Sequence, residues 1–439
     1  MERDELERLS KDELVELVLR LQRPEKTSRT SSKPPSTDRK EQRERSKPGG
    51  AKPGHEGHSR VMSDRPDEVV EHRPDRCPCC TSALDADLPA ETAGVHERIE
   101  LPEVEPVVVH HRRLAVRCPG CGTRVVASPA AGTPFGHRLR RSHGVMSAKA
   151  DRRLHAVATY LKTYQALSYE RLQAALLDPF GLRVGRGGPM NVLRRAQKCF
   201  EGGRERAVAA LRRADVVASD ETGVRIEGSN AHRWVFRCER AVVHHADPTR
   251  AASVVREMMD GHKPAVWPSD RYSAQQGHGL AQQTCLAHLA RDVAYAVEAG
   301  DDAVPFRLKL WLASAFDPAD GVTRLAASTL AAKRRALERR LDAILTAPTS
   351  CDLARELQAK LRRARDQLLT FADRPGEVAA TNNACERDLR PSVVQRKVTN
   401  GYRAMWAAQG EADVRTVVDT ARLTPGVGVF ATILGTVRA

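Results

Sequence analysis

Residues 214–226 read ADVVASDETGVRI, and three runs of the same character follow: HRWVFRCER at 232–240, AVVHHAD at 241–247 and PAVWPSD at 264–270. Each is short and rich in valine and aromatic residues, the composition of strands that fit a pleated, half-buried surface. After Thr284 the period changes, through LAHLARDVAYAVEA (286–299), LAAKRRALERRLDAIL (330–345) and DLARELQAKLRRARDQLL (352–369), all spaced as helices. Strands followed by a long helical stretch predict an α/β domain over 210–400, with a helical insertion at about 292–375.

The first and last of the strand-like runs carry carboxylates, Asp220 and Asp270. A third acid, Glu386, lies in NNACERDLRPSVVQRK (382–397), which reads as a helix with Asn382 or Asn383 near its start. Acids at the ends of adjacent strands can converge beyond the sheet edge, with a helix bringing the third. Three such groups suit Mg²⁺ (or Mn²⁺), hard ions that take oxygen ligands, and a pair of ions can clamp the attacking and leaving oxygens of an in-line phosphoryl displacement. Taken singly, an Asp at a strand end is ordinarily a loop residue.

Upstream of the strands, residues 150–200 read as three helices: LHAVATYLKTY, SYERLQAALL and PMNVLRRAQKCF, with Ser168 placed to cap the second and Pro189 in the first turn of the third. That pattern fits a helix-turn-helix DNA reader and fits ordinary helical packing equally. Residues 61–130 centre on two Cys-x-x-Cys pairs, Cys77/Cys80 and Cys118/Cys121, with 37 residues between them. Four thiolates satisfy a tetrahedral Zn²⁺, so a zinc-ribbon-like module with a strand leading into the second pair is expected. Segment 24–60 is rich in Ser, Pro, Gly, Lys and Arg and reads as a flexible basic linker; segment 1–23 is a leucine-bearing helix, a coiled-coil element or a plain amphipathic one. The segment 401–439 carries no informative motif.

The formal charge is +15, from 71 Lys and Arg against 56 Asp and Glu, which points to a polyanionic partner such as nucleic acid. No stretch of about twenty apolar residues could cross a bilayer, and the acidic start is wrong for a secretory signal, so a soluble, cytoplasmic protein is expected. Ten cysteines are then not a disulfide framework.

Taken in order, these motifs resemble the IS66-type bacterial insertion-sequence transposases of the Asp-Asp-Glu class. The resemblance runs from the leucine helix and the SSKPPSTD and KPGGAKPGHEGH segments through the cysteine pairs. It continues through Asp220-Glu221-Thr222-Gly223, Ser269-Asp270 with Tyr272, and the Cys285-x-x-His288-x-x-Arg291 signature, to Asn382-Asn383-Ala-Cys-Glu386-Arg387 with Arg396-Lys397. It implies an RNase H-like mixed-sheet catalytic domain, with Asp220, Asp270 and Glu386 as catalytic metal ligands. It also implies double-stranded DNA (element ends and target) as partner, a homo-oligomer on the DNA, accessory proteins, and a bacterial, DNA-associated setting. The 115 residues between Asp270 and Glu386 accommodate an insertion domain. Arg271 departs from the small residue usual after the second acid, and the segment after Lys397 is divergent. Arg387, Arg390, Arg396, Lys397 and Arg403 surround the third acid as candidate phosphate clamps or as solvated charges. Cys285 and His288 share a helix face and either bind metal or brace the core. The alternatives are a zinc-ribbon DNA-binding regulator with an inactive RNase H-like domain, and an RNase H-like nuclease that cuts without strand transfer.

Overall fold

The computed structural model describes residues 10–31, 38, 54, 56, 60–107, 112, 114–128, 152–185, 187–300 and 302–438. Most of the expected linker over 24–60, and the first turns of the leucine helix, lie outside these residues. The chain divides into two compact units, Met1–Arg43 with Pro106–Ala439, and Glu44–Glu105.

In the larger unit, α1 (Lys11–Gln22) starts on a reciprocal cap: the Glu13 N–H donates to Ser10 Oγ at 3.3 Å, and the Ser10 N–H to Glu13 Oε2 at 2.7 Å. The strand expected before the second cysteine pair is short, β1 (Ala115–Arg117), paired antiparallel with β2 (Arg124–Val126). Then come α2 (Arg152–Thr163), α3 (Tyr169–Leu177) and α4 (Gly188–Lys198). Ser168 caps α3 by accepting the Arg171 N–H, and Pro189 stands in the first turn of α4. Leu172, Leu176, Val192 and Leu193 close the core of these helices, each buried side chain contributing roughly 1.5–3 kcal/mol. A further helix, α5 (Glu201–Leu211), contains two glycines and shows no sequence signal.

The sheet begins with a meander of β3 (Ala218–Ile226), β4 (Ser229–Arg237) and β5 (Val242–Asp247), all antiparallel. β3 and β4 join through Glu227 and Gly228, both at positive φ (56° and 77°), the two-residue turn whose twist matches a hairpin. Helix α6 (Ala252–Met259) leads to β6 (Val266–Ser269), which pairs in parallel with β7 (Ala281–Thr284). β6 also meets the lead-in to β3: the Val266 N–H donates to Asp215 O at 3.0 Å and the Val217 N–H to Val266 O at 3.2 Å. The next rung of a parallel ladder needs an N–H at position 268. Pro268 has none, and the β3–β6 pairing stops there. The strand order is therefore β7-β6-β3-β4-β5, with a single bridge, Val216 to Val266, joining the two halves.

A helical block follows: α7 (Leu286–Ala299), α8 (Ala303–Gly321), α9 (Ala327–Thr346) and α10 (Asp352–Arg363). It has its own apolar core around Trp311, Leu308, Leu341 and Leu357, and the Trp311 indole donates to Leu337 O at 2.9 Å. The sheet core gathers Trp234, Phe236 and Trp267 against Val255 and Met258 of α6. The chain closes with α11 (Asn383–Thr399), α12 (Met405–Ala421) and α13 (Val429–Arg438). α12 lies along β5 and α5, and a side chain at Gly203 of α5 would stand 2.5 Å from Val417 of α12. α12 buries Glu411 and Arg415, paired at 2.8 Å; Gln395 of α11 bonds both, and Tyr402 in the loop after it bonds Glu411. Among the described residues no helix is long and apolar enough to cross a membrane.

Candidate active site

β3 carries Asp220 opposite Val235 and Glu221 opposite Trp234. Asp220 does not end the strand, as its sequence pattern predicts; hairpin pairing with β4 carries β3 on to Ile226. Consecutive strand residues point to opposite faces, so Asp220 and Glu221 serve different surroundings. Asp220 Oδ1 accepts the Glu221 N–H at 2.9 Å. Burial, with the charges of Glu221 and Asp270 adding, pushes its carboxyl up to about 7. Asp270 follows β6 directly, and its Oδ1 accepts the Tyr272 N–H at 2.9 Å.

Glu386 stands in the first turn of α11, with Oε1 3.5 Å from His288 Nε2 and Oε2 3.9 Å from Arg291 Nη2. The His288 charge also acts on Asp220. His288 is thus an electrostatic neighbour of the first and third acids. Two hydrogen bonds fix the start of α11 here. Asn382 Nδ2 donates to Ser219 O at 2.8 Å, beside Asp220, and the Asn382 N–H donates to Cys285 Sγ at 3.2 Å. Arg237 of β4 adds an ion pair to Asp388 at 2.7 Å.

Cys285 is buried at 1 % exposure. Burial raises its thiol, but the neighbouring His288 imidazole and the Asn382 N–H outweigh it, so the net shift is downward. The same contact with Cys285 holds the His288 imidazole above its ordinary value against burial, helped by Glu386. Cys385, beside Glu386, is fully buried; burial and then the Asp220 charge drive its thiol well up.

Glu221 organises the other face. Its Oε1 accepts Arg250 Nε at 2.7 Å and its Oε2 accepts Gln275 Nε2 at 2.6 Å, on a side chain only 2 % exposed. Burial raises its carboxyl, with Arg250 and Gln275 opposing. Arg250 lies over the Tyr272 ring, 3.8 Å from its centroid. Arg250 and Gln275 belong to no motif, so spacing gave no signal for them. A cleft of about 710 Å³ opens beside Asp270, walled by Arg250, Arg271, Arg291, Lys360 and Arg363.

Of the predicted clamps, Arg387, Arg390, Lys397 and Arg403 are exposed, while Arg396 donates to Thr222 Oγ1 at 3.1 Å and to Gly223 O. None of the five lines the cleft at Asp270.

The two cysteine pairs fold as twin knuckles, each within its own unit. The Cys77 N–H donates to Ser82 O (3.0 Å) and the Thr81 N–H to Cys77 O (2.9 Å); the Cys118 N–H donates to Thr123 O (2.8 Å) and the Gly122 N–H to Cys118 O (2.8 Å). Thr81 and Gly122, at equivalent places, both have positive φ, 58° and 71°. Hydrogen bonding to Ser82 brings the Cys80 thiol down to about 7, and Thr123 lowers Cys121 in the same way. Soft sulfur ligands on tight turns, with the Cys80 and Cys121 thiols lowered toward the metal-binding thiolate, fit zinc.

Among the described residues no three His, Cys, Asp or Glu side chains stand together closely enough to enclose a metal ion. Asp220 and Asp270 nevertheless fit a hard cation chemically, as an all-oxygen pair whose mutual repulsion a cation would relieve. Glu386 would have to exchange its contact with His288 for the metal.

The sequence model described as "Transposase IS66 family" matches residues 148–410, more than half of the chain. The chain belongs to the IS66 transposase family. A second match, to the "zinc-finger binding domain of transposase IS66", covers residues 74–122 and with them all four knuckle cysteines. No curated protein matches the chain. The larger IS66 match runs from the helices before the sheet into α12, and so contains Asp220, Asp270, Cys285, His288 and Glu386.

Proposed function

We propose that this IS66-family transposase works by Asp-Asp-Glu chemistry, with Asp220, Asp270 and Glu386 holding Mg²⁺ or Mn²⁺ on an RNase H-like domain. One observation carries the reading: the Asn382–Ser219 hydrogen bond, which ties the helix of the third acid to the strand of the first across 163 positions of sequence. The strand order, an antiparallel meander continued by two parallel strands, supports the RNase H-like assignment.

When bound, the ions lower the pKa of the attacking water or 3′-hydroxyl and neutralise the leaving 3′-oxygen. The chain's own groups prepare that site. Burial keeps Asp220 partly protonated near neutral pH until a cation arrives, and His288 and Arg291 hold the Glu386 carboxylate on the correct side of α11. Water attacks a phosphodiester at the element end, forming one P–O bond and expelling the 3′-oxygen as a hydroxyl. That hydroxyl then attacks a target phosphodiester and expels its 3′-oxygen. Both steps are in-line displacements, so one site serves both. Joining two ends calls for more than one copy on double-stranded DNA. Cys77, Cys80, Cys118 and Cys121 are the proposed Zn²⁺ ligands of an accessory binding module.

The test is cleavage of element-end duplex in Mg²⁺ or Mn²⁺. Asp220→Asn and Glu386→Gln proteins are expected to bind the DNA and cut it slower by on the order of 10³-fold or more. A variant that cuts at the wild-type rate overturns the assignment, and nicks without joined product reduce it to a nuclease.

A further inference from the structure

The strongly charged feature that the acid motifs do not account for is the cleft beside Asp270. Five cations line it against two carboxylates, Asp270 and Asp292. Three of the cations are already engaged: Arg250 by Glu221, Arg271 by Asp292 and Arg291 by Glu386. The remaining two, Lys360 and Arg363, have no carboxylate within ion-pair distance among the described residues. They stand three apart near the end of α10, so they share one helix face, while Arg362 between them is spent on the Leu345 carbonyl.

Two further observations indicate what this wall meets. Arg271 Nε and Nη1 are buried without any hydrogen-bond partner, immediately beside Asp270. A guanidinium with unmet donors calls for an acceptor, and phosphate oxygens are the strongest available to it. Arg250 is held in advance, gripped by Glu221 and stacked on Tyr272, so its orientation precedes any ligand. The cleft, about 710 Å³, has the size of a small-molecule site. It admits a nucleotide or two of one strand and cannot enclose a duplex.

We propose that this cleft is a groove for one DNA strand, in which Lys360 and Arg363 of the helical insertion form the phosphate-binding wall opposite Asp270. The groove rests on the transposase reading for the identity of its strand. It assigns the insertion a share in holding substrate, and it puts the backbone contacts on α10 and the Asp270 loop, away from the basic run of α11.

The test is binding of a mixed-sequence single-stranded oligonucleotide, and of the same sequence as duplex, without divalent metal over a range of salt. Two variants remove equal charge: Lys360→Ala with Arg363→Ala, and, as control, Arg335→Ala with Arg339→Ala on the exposed side of α9. Each single-strand phosphate contact contributes about 0.7 to the slope of log affinity against log salt. The α10 pair is expected to lower the single-strand slope by about 1.4 and the affinity by about tenfold or more, and the control to stay within about twofold of wild type. An α10 variant with the wild-type slope, a control that loses as much, or a loss confined to duplex overturns the groove. Where the double variant melts early, Lys360→Gln alone must still lower the slope by about 0.7. A chain with the expected slope loss that never cuts end DNA keeps the groove and loses the chemistry. A chain that cuts, with an α10 variant indistinguishable from the control, loses the groove alone.

Discussion

The cysteine knuckles and the carboxylate site are both suited to metal, and they are built in opposite ways. Each knuckle is complete within six residues: two backbone hydrogen bonds, one left-handed residue and a hydroxyl that lowers the thiol. Its backbone geometry is set within the chain's own turn. The acids arrive from β3, the end of β6 and the start of α11, and only long-range contacts such as Asn382 to Ser219 bring them near one another. A local site can be specified by spacing. A distributed one is specified by the fold, and here burial and the charges of Glu221 and Asp270 raise the Asp220 carboxyl.

That contrast can be broken most forcefully at the knuckles. Replacing Cys80 or Cys121 by serine is expected to abolish zinc binding and leave 61–130 open to protease, since structural zinc in small modules is worth about 10–16 kcal/mol of folding free energy. Zinc per chain by atomic absorption, with limited proteolysis, checks this. Retention of full zinc by both variants would remove the four-thiolate site.

At the acids the expected effect is smaller and has the opposite sign. The Asp220 carboxyl titrates near 4 when unfolded and at about 7 when folded. Below about pH 4 both states are protonated and the residue costs nothing. The cost grows through the interval and is complete above the folded value. Asp220→Asn therefore stabilises the metal-free protein by a few kcal/mol at about pH 8 and scarcely at about pH 4. Urea midpoints at the two pH values measure it, and Mg²⁺ should stabilise the wild type while leaving the variant unmoved. Equal gains at both pH values would mean that strain at Asp220 is not the cause.

The smallest effect sharpens the comparison at its hinge point. Asn382→Ala strips the buried Ser219 carbonyl of its partner and is expected to cost about 1–3 kcal/mol, with slower cleavage and unchanged zinc content. Wild-type stability together with wild-type cleavage would show that the Asn382 tether does not position Glu386.

Legibility followed the same division. The knuckles, the Ser168 cap, the strands around Asp220 and Asp270 and the helix of Glu386 could be read from spacing, because local rules decide them. Helix α12 could not. Its buried face holds Glu411, Asp413, Arg415 and Thr416, three charges and a hydroxyl paired along the helix and with Gln395, Tyr402, Arg204 and His244, and these erase the apolar period that marks a core helix. Helix α5 was hidden by its glycines, one of which exists to let Val417 approach. The cleft wall was hidden because Lys360 and Arg363 look like any charged helix end until α10 is set against Asp270. What sequence conveyed about the site was its acids; what it withheld was their company.

Pro268 also shapes the middle of the sheet. By withholding one N–H it unzips the joint between β3 and β6 just before the two strands deliver Asp220 and Asp270. Beyond that point the two arms form a jaw whose gape no backbone rung dictates. Its width is left to side chains such as Gln275, which reaches back from beyond β6 to bond both Ser219 and Glu221 on β3.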